Sequence, residues 1–245
     1  MSAAAAALVA TRRGGARLAA LPAGSAPADL ATAHAVQDAT AAALGERVAG
    51  WKVAVNAAGV MRGIILGSRM LASPAVVPAA EMLPLGIEAE IAFVFERDML
   101  PRDAEYTVEE VAASVTAVVG IEIVASRFTD YATTPLLERA ADCMSNGAFI
   151  VGTRRADWRT VDLSALQATL LVNGEVVVRR VGGHVAGDPI LPAVALVDAL
   201  RREGGVRVGQ LITTGTFTGL HFAQPGDDIA VDFAGFGTAA VTLAA

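Results

Sequence analysis

Residues 86–95 read Gly-Ile-Glu-Ala-Glu-Ile-Ala-Phe-Val-Phe, an alternation that is typical of a half-buried β-strand. Side chains along a strand point to opposite faces in turn, so five apolar residues share one face: Ile87, Ala89, Ile91, Phe93 and Phe95. The other face carries Glu88 and Glu90, about 7 Å apart at their Cα atoms, followed by Ala92 and Val94. The stretch therefore predicts a core strand with two carboxylates on its second face.

The two carboxylates leave two interpretations open. Like charges side by side on a mostly apolar face repel each other, and each loses hydration when the face is covered. A divalent cation between them removes both costs, and hard carboxylate oxygens suit Mg²⁺ or Mn²⁺. The alternative is a strand whose outer face meets water.

A third carboxylate, Glu122, lies in a second alternating stretch, residues 120–126. A lone Glu between Ile121 and Ile123 is costly to bury unless it is paired or bound. Three acids on two strands, with water or substrate completing the shell, would form an octahedral site with open positions. The alternative is a structural ion pair between Glu122 and Arg127.

Lys52 is the only lysine of the chain, and the other eighteen of its nineteen basic residues are arginines. Arg keeps its proton at ordinary pH, whereas Lys loses its proton when the surroundings lower its pKa. Lys52 lies in the apolar stretch 50–56, where desolvation acts in that direction. The sequence therefore predicts either a functional lysine or a chance survivor in an arginine-rich chain.

Length and composition limit the classes of protein. With 245 residues, 54% of them hydrophobic and 18% charged, the chain can bury a large core, and disorder is not expected. A net charge of −6, with no basic run longer than two residues, argues against a nucleic-acid surface and a polybasic membrane patch. A single cysteine, Cys143, fits a reducing cytoplasm, and no apolar run is long enough to span a membrane.

Helix signals come early in the chain and strand signals dominate its second half. Asp29 can cap a helix that stops at Gly45. Thr107, with Glu three residues later, forms a capping box that predicts a helix over residues 108–118. The Asn-Gly pair at 173–174 predicts a tight hairpin turn between two strands.

Six stretches resemble, in the same order, motifs of the fumarylacetoacetate hydrolase superfamily: residues 50–53, 86–93, 121–127, 142–147, 171–174 and 225–227. The likeness is to the branch of the 2-keto-4-pentenoate hydratases and the 4-oxalocrotonate decarboxylases, and it covers residues 28–243. Its most specific motif is the Glu-x-Glu strand followed by a third Glu, whereas the Pro-Gly-Asp turn alone would be weak.

The resemblance implies an α+β fold with a mixed, strongly curved β-roll or barrel-like core, peripheral helices and an N-terminal helical segment. Residues 1–50 would form that segment, and residues 51–245 would form the catalytic domain. By analogy with the family we expect a cytoplasmic homo-oligomer of aromatic catabolism that acts on a small 2-oxo acid. It could be paired with another enzyme of the pathway, and no nucleic-acid or membrane partner is expected.

The resemblance also implies a site. A divalent metal, Mg²⁺ or Mn²⁺, would be bound by Glu88, Glu90 and Glu122, with Lys52 as the catalytic residue. Substrate oxygens would be bound by residues of two loops: Ser145, Thr214, Gly215 and Thr216. The implied activity is that of a metal-dependent lyase, most simply the hydration of a 2-keto-4-pentenoate-type substrate through a metal-bound dienolate.

Two departures from the family pattern keep other activities open. The segment between Glu46 and Glu81 holds no acid, although the hydratases carry one there that helps to orient water. Their Asp-Asn-Ala-Ser loop reads Asp-Cys-Met-Ser at residues 142–145. The alternatives are decarboxylation of a 4-oxalocrotonate-type substrate or tautomerisation on the same metal site, and a non-catalytic subunit that supports a paired enzyme.

Overall fold

The computed structural model describes residues 1–57 and 59–245, and this part of the chain contains five α-helices and thirteen β-strands. The helices are α1 (Ala3–Arg12), α2 (Leu30–Leu44), α3 (Val108–Ala112), α4 (Leu136–Ala141) and α5 (Ile190–Leu200). The strands are β1 (Val48–Asn56), β2 (Gly59–Leu66), β3 (Met70–Ala72), β4 (Ala75–Pro78), β5 (Gly86–Phe95), β6 (Val115–Val124), β7 (Asn146–Arg155), β8 (Gln167–Val172), β9 (Glu175–Val181), β10 (Leu211–Thr216), β11 (His221–Phe222), β12 (Asp228–Phe233) and β13 (Gly237–Ala244). Among the described residues, no helix combines the length and the apolar character needed to cross a membrane.

The strands form two sheets. The larger has eight strands. Seven follow the order β2-β1-β10-β5-β6-β7-β3, and the eighth, β11, pairs with the start of β5. The smaller has five strands in the order β4-β13-β12-β8-β9. Parallel and antiparallel pairs occur in both sheets, and the larger sheet curls strongly into a half-barrel with helices around it. The predicted mixed, strongly curved α+β fold is confirmed.

Strand β5 lies at the centre of the larger sheet and has the predicted bounds. The apolar face is completely buried in the main core by five residues: Ile87, Ala89, Ile91, Phe93 and Phe95. The other face is covered as well, since Ala92 and Val94 pack with Phe149 in a second apolar cluster. The interpretation in which the face carrying Glu88 and Glu90 meets water is therefore wrong.

The N-terminal helices follow their sequence signals. Asp29 Oδ1 accepts a hydrogen bond from Thr32 N at 2.7 Å, and Gly45 ends α2 in the left-handed conformation, with φ 72°. Helix α1 packs against α2 through small and apolar side chains that include Ala5 and Leu8. The division of the chain at residue 50 into a helical segment and a catalytic domain stays a prediction.

The helix predicted over residues 108–118 is wrong in its second half. Its capping box is present, because Thr107 Oγ1 accepts from Glu110 N at 3.2 Å and Glu110 Oε2 accepts from Thr107 N at 2.8 Å. The helix nevertheless ends at Ala112, and β6 begins at Val115 and pairs with β5 along its whole length. β-Branched residues suit strands, and sheet pairing overrides a local helix signal.

The register of the larger sheet brings charged side chains to one face. Glu88 lies opposite Glu122 across β5 and β6. Lys52 on β1 lies opposite Thr213 on β10, the strand between β1 and β5. Thr213 in turn lies opposite Ala92 on β5, which is on the same face as Glu88, so all of these side chains point into the same half of the curled sheet.

Candidate metal centre and substrate pocket

Glu88, Glu90 and Glu122 converge on one point. One carboxylate oxygen of each residue lies within 4.8 Å of the other two. Glu122 is fully buried, Glu90 is 2% exposed and Glu88 is half-buried. The sequence prediction that three acids from two strands meet is therefore correct, and the register across β5 and β6 is the cause.

The three carboxylates fit a hard divalent cation. Glu122 Oε2 is buried and has no hydrogen-bond partner among the described residues. An orphaned buried oxygen of this kind is costly, and a bound cation would satisfy it. Mg²⁺ and Mn²⁺ both prefer oxygen ligands of this type.

The electrostatics of the cluster point the same way. Burial raises the pKa of Glu88 to about 7, with Lys52 opposing the shift and Glu122 adding to it. Burial raises the pKa of Glu90 to about 8, and repulsion from Glu122 and Glu88 adds to the effect. Both shifts are those expected of like charges gathered in a site from which water is largely excluded.

Lys52 lies against these acids, with Nζ 2.6 Å from Glu122 Oε1 and a side chain that is 12% exposed. Burial alone lowers the pKa of Lys52, but the attraction of Glu122, Glu88 and Glu90 outweighs burial and raises it above its usual value. The predicted desolvation is present, but in the metal-free protein the acids outweigh it. The apolar neighbours of Lys52 along β1 indicate desolvation correctly, but they do not reveal the acids on the other strands.

The alternative ion pair between Glu122 and Arg127 is also wrong. Arg127 Nε lies 2.5 Å from Asp142 Oδ1, and the backbone N–H of Arg127 donates to Asp142 Oδ2 at 3.0 Å. Glu122 Oε1 instead meets Lys52 and accepts a hydrogen bond from Asn146 Nδ2 at 3.2 Å. Glu122 thus belongs to the acid cluster, and Arg127 belongs to a separate buried charge group.

The acids and Lys52 form part of the wall of a cavity of about 470 Å³, which we call the acid pocket. Fourteen residues line it: Lys52, Val53, Ala54, Val55, Glu88, Glu90, Glu122, Met144, Val185, Ala186, Pro192, Thr214, Gly215 and Thr216. Ser145 is not among them; it is 1% exposed, and its hydroxyl has no partner among the described residues. Seven of the eight predicted site residues thus share one cavity, and the roles of all eight stay predictions.

Two side chains that sequence reasoning did not single out hold the acids in place. The Thr213 hydroxyl donates a short hydrogen bond to Glu90 Oε2, which also accepts from the backbone N–H of Gly215 at 3.1 Å. Asn146 supports Glu122 in the same way. Both residues adjoin predicted ones, but only the strand order shows that they face the acids.

Residues Cys143–Ser145, here called the left-handed turn, form one side of the pocket through Met144. Their φ values are 54°, 52° and 57°, although none is a glycine. Each such residue costs about 1–2 kcal/mol, and the conformation persists only where surrounding contacts enforce it. Asp142 is held by Arg127 on one side of the turn, and Asn146 by Glu122 on the other.

Gly63 on β2 allows the turn to lie this close to Lys52. A Cβ atom at this position would overlap the carbonyl oxygen of Cys143 and lie 2.8 Å from Lys52 Cγ. Only glycine leaves room for both neighbours at a close backbone approach of this kind. β2 therefore packs directly under the turn and the lysine.

Comparison with known proteins places the chain. Residues 34–244 match the family model described as fumarylacetoacetate (FAA) hydrolase C-terminal. The chain belongs to the fumarylacetoacetate hydrolase family. It is 29% identical over 209 residues to a 2-keto-4-pentenoate hydratase of Burkholderia vietnamiensis, covering 81% of this chain and 79% of the relative. It is 32% identical over 165 residues to a 4-oxalocrotonate decarboxylase of Pseudomonas putida, covering 66% of this chain and 61% of the relative.

Solved structures of this family share the fold. A 4-oxalocrotonate decarboxylase from Pseudomonas putida G7, complexed with calcium and acetate, superposes with a TM-score of 0.82 at 24% identity. The superposition covers 98% of this chain and 96% of that one. The same enzyme complexed with magnesium and adipate gives a TM-score of 0.81. That decarboxylase was thus solved with a divalent metal, and this chain has a carboxylate cluster that could bind one.

Proposed function

We propose that this protein is a metal-dependent lyase for 2-hydroxy-dienoic or 2-oxo-enoic acids, and that it hydrates a 2-keto-4-pentenoate-type substrate. The observation that carries the proposal is the convergence of Glu88, Glu90 and Glu122 beside Lys52 inside one cavity. Relatives named 2-keto-4-pentenoate hydratase, 28–30% identical over most of the chain, support it.

The three acids would hold Mg²⁺ or Mn²⁺. When bound, the ion supplies Lewis acidity toward the carboxylate and 2-oxygen of the substrate. Thr213, Asn146 and the backbone of Gly215 keep the acids oriented for this role. Hydrogen bonds behind metal ligands fix their orientation in many metal sites.

The remaining chemistry is a proton transfer and a water addition, for which the chain offers Lys52. Its Nζ atom, placed by Glu122, is positioned to hold the 2-oxygen of the substrate as negative charge develops there, or to deliver a proton to a substrate carbon. Water then adds across the carbon–carbon double bond conjugated to the 2-oxo group. Thr214, Gly215 and Thr216 line the pocket beside the acids and would contact the substrate oxygens.

The walls of the pocket favour hydration over decarboxylation of 4-oxalocrotonate. Of its described lining residues, Lys52 is the only cation, and the apolar part of the wall includes Val55, Val185, Ala186 and Pro192. A 2-oxo acid with an uncharged tail suits such a wall, whereas the second carboxylate of 4-oxalocrotonate would lose hydration there without a basic partner.

One observation favours the decarboxylase alternative. The described lining residues include no acid besides Glu88, Glu90 and Glu122, which would hold the metal, so nothing acidic is left to orient the attacking water. Loss of CO₂ needs no such water. Similarity to two 4-oxalocrotonate decarboxylases supports the same alternative.

A metal titration followed by turnover tests both candidates. Calorimetry on resin-treated protein should show saturable Mg²⁺ or Mn²⁺ binding that Glu90→Gln abolishes and that Glu175→Gln, at an exposed acid, leaves unchanged. The loaded protein is then given 2-hydroxypenta-2,4-dienoate and 4-oxalocrotonate. Hydration of the first supports the proposal, and CO₂ release from the second alone supports the alternative. Metal binding without turnover of either points to a supporting subunit.

Assembly and location are further proposals. By analogy with the family we propose a cytoplasmic homo-oligomer that works beside another enzyme of the same pathway. Light scattering on the purified protein measures its mass, and a monomer would contradict the first part.

A further inference from the structure

A second cavity, of about 530 Å³, lies outside the acid pocket. We call it the arginine cleft, because five arginines line it: Arg12, Arg13, Arg17, Arg69 and Arg127. Glu81 is the only acid among its described lining residues, and the buried Asp142 contacts two of the arginines. Three positive charges are therefore in excess here, in a chain whose net charge is −6.

Part of this excess is buried. The side chains of Arg12 and Arg127 are 8% and 9% exposed, and both bind the same oxygen, Asp142 Oδ1, at 3.3 and 2.5 Å. One carboxylate thus serves two guanidinium groups, and Arg12 Nε is buried without a hydrogen-bond partner among the described residues. A buried charge without a full counter-charge is costly, which leaves the site in need of an anion.

The pKa of Arg127 also indicates that the buried arginine pair lacks a full counter-charge. Burial lowers the pKa of Arg127, and the nearby positive charge of Arg12 lowers it further, against the opposing attraction of Asp142. The remaining arginines lie at the mouth, where Arg13 and Arg17 are exposed. The excess positive charge therefore extends from the buried Arg12 and Arg127 to the exposed Arg13 and Arg17.

From this geometry we infer that the arginine cleft binds a small multivalent oxyanion, carrying carboxylate or phosphate groups, separately from the acid pocket. Guanidinium groups bind both kinds of oxyanion through paired N–H donors, and two of them, those of Arg12 and Arg127, meet at the floor of the cleft. The cleft has the volume of a small-molecule site. The metal-free acid pocket cannot supply this binding, because its three carboxylates repel anions.

Calorimetry with inorganic phosphate and with tricarballylate, a tricarboxylate, tests the inference on resin-treated wild-type protein. Ionic strength is kept constant with sodium chloride, and acetate serves as the monovalent control. These controls separate binding at a site from the general effect of salts such as phosphate, which stabilise proteins by exclusion from their surfaces. We expect one saturable site for at least one of the two probes and none for acetate. The probe that binds more tightly identifies phosphate or carboxylate as the preferred group.

Matched variants locate the site. Arg12→Gln should weaken binding at least about tenfold, which is the effect of losing one charge-assisted contact. Because this change also touches Asp142, the double variant Arg13→Gln/Arg17→Gln, at the exposed rim, provides a second measurement that leaves the buried pair intact. Arg154→Gln is the control, since Arg154 is 57% exposed and lies outside the cleft.

Three results would overturn the inference. The first is no saturable binding of either probe, and the second is equal affinity in all four proteins. The third is that neither probe binds and that Arg13→Gln/Arg17→Gln converts an oligomer to a smaller species. The cleft would then be a contact for acidic residues of a second copy. Loss of binding in the cleft variants alone supports it, and the test is independent of whether the acid pocket is catalytic.

Discussion

The acid pocket and the arginine cleft adjoin the same loop and collect charge of opposite sign. Met144 lines the pocket, Gly147 lines the cleft, and the left-handed turn lies between Asp142 and Asn146. Some charged groups elsewhere on the surface form matched pairs, such as Arg102 with Glu110 at 2.6 Å. An unmatched group of one sign, partly buried, is what distinguishes both sites from an ordinary surface.

The two regions differ in what holds their charges. Glu88, Glu90 and Glu122 extend from paired strands, so the register of β5 and β6 fixes their spacing. The arginines come from the end of α1, from loops and from distant parts of the chain. A strand-based cluster is suited to an ion that demands close geometry, and a loop-based cluster is suited to a larger and less exacting ligand.

The largest effect is expected at Lys52. Lys52→Arg keeps the positive charge but replaces a compact donor by a bulkier group that does not release its proton. If Lys52 transfers a proton, kcat/KM for 2-hydroxypenta-2,4-dienoate should fall by about 10²–10⁴. Arg154→Lys, at an exposed position, serves as the control for an exchange between these residue types. Unchanged turnover in Lys52→Arg would exclude the proton-transfer role.

The next effect concerns the charge group beneath the cleft. Asp142→Asn removes the one carboxylate that Arg12 and Arg127 share and leaves both guanidinium groups buried. We expect the free energy of unfolding to fall by about 3 kcal/mol in urea titrations. The left-handed turn next to Asp142 should also loosen, since this anchor enforces its conformation. A loss below about 1 kcal/mol would mean that the group is not a buried ion pair in solution.

Metal removal should make the free energy of unfolding of the protein depend on pH through the carboxylates of the acid pocket. The pKa values of Glu88 and Glu90 are raised to about 7 and 8, so the folded metal-free protein binds more protons than the unfolded chain above pH 4.5. Its stability should therefore fall as the pH rises toward 8, by at least about 1 kcal/mol. Burial lowers the pKa of His34 to about 4 and also lowers the pKa of His184, so both contribute the opposite slope up to about pH 7, and the test is made between pH 7 and 8.

Urea titrations across that range, with and without Mg²⁺, measure this slope. Added Mg²⁺ should flatten it, because a bound cation keeps the carboxylates deprotonated in the folded state. Glu90→Gln should flatten it without metal, whereas Glu175→Gln, at an exposed acid, should not. The same slope in all of these samples would show that the carboxylates are not gathered as the structure places them.

Sequence reasoning was most successful where a pattern depends on neighbours in the chain. The alternation of residues 86–95 predicts both β5 and the side-by-side position of Glu88 and Glu90, and the caps at Asp29 and Gly45 predict α2. These features are local. A strand period of two residues and a cap at a helix end require no knowledge of the rest of the fold.

Contacts between distant parts of the chain could not be read in this way. Lys52 on β1 and Glu122 on β6 have two strands between them, β10 and β5, which would separate their backbones by about 14 Å on a flat sheet. The curl of the sheet and two long side chains bring Nζ to 2.6 Å from Oε1. The arginine cleft was not predicted either, since Arg12, Arg69 and Arg127 share no local pattern.

The smallest effect is expected at Arg69, and it tests whether burial determines how much an ion pair of the cleft contributes to stability. Arg69 Nη1 lies 3.1 Å from Glu81 Oε2, as close as many buried pairs, but the two side chains are 28% and 55% exposed. Solvent screens such a pair, so Arg69→Gln should change the free energy of unfolding by no more than about 1 kcal/mol in chloride buffer. Asp142→Asn, measured in the same buffer, should cost clearly more. Equal costs would mean that distance rather than burial governs these charges, and the buried excess at the floor of the cleft would then give no reason for an anion to bind there.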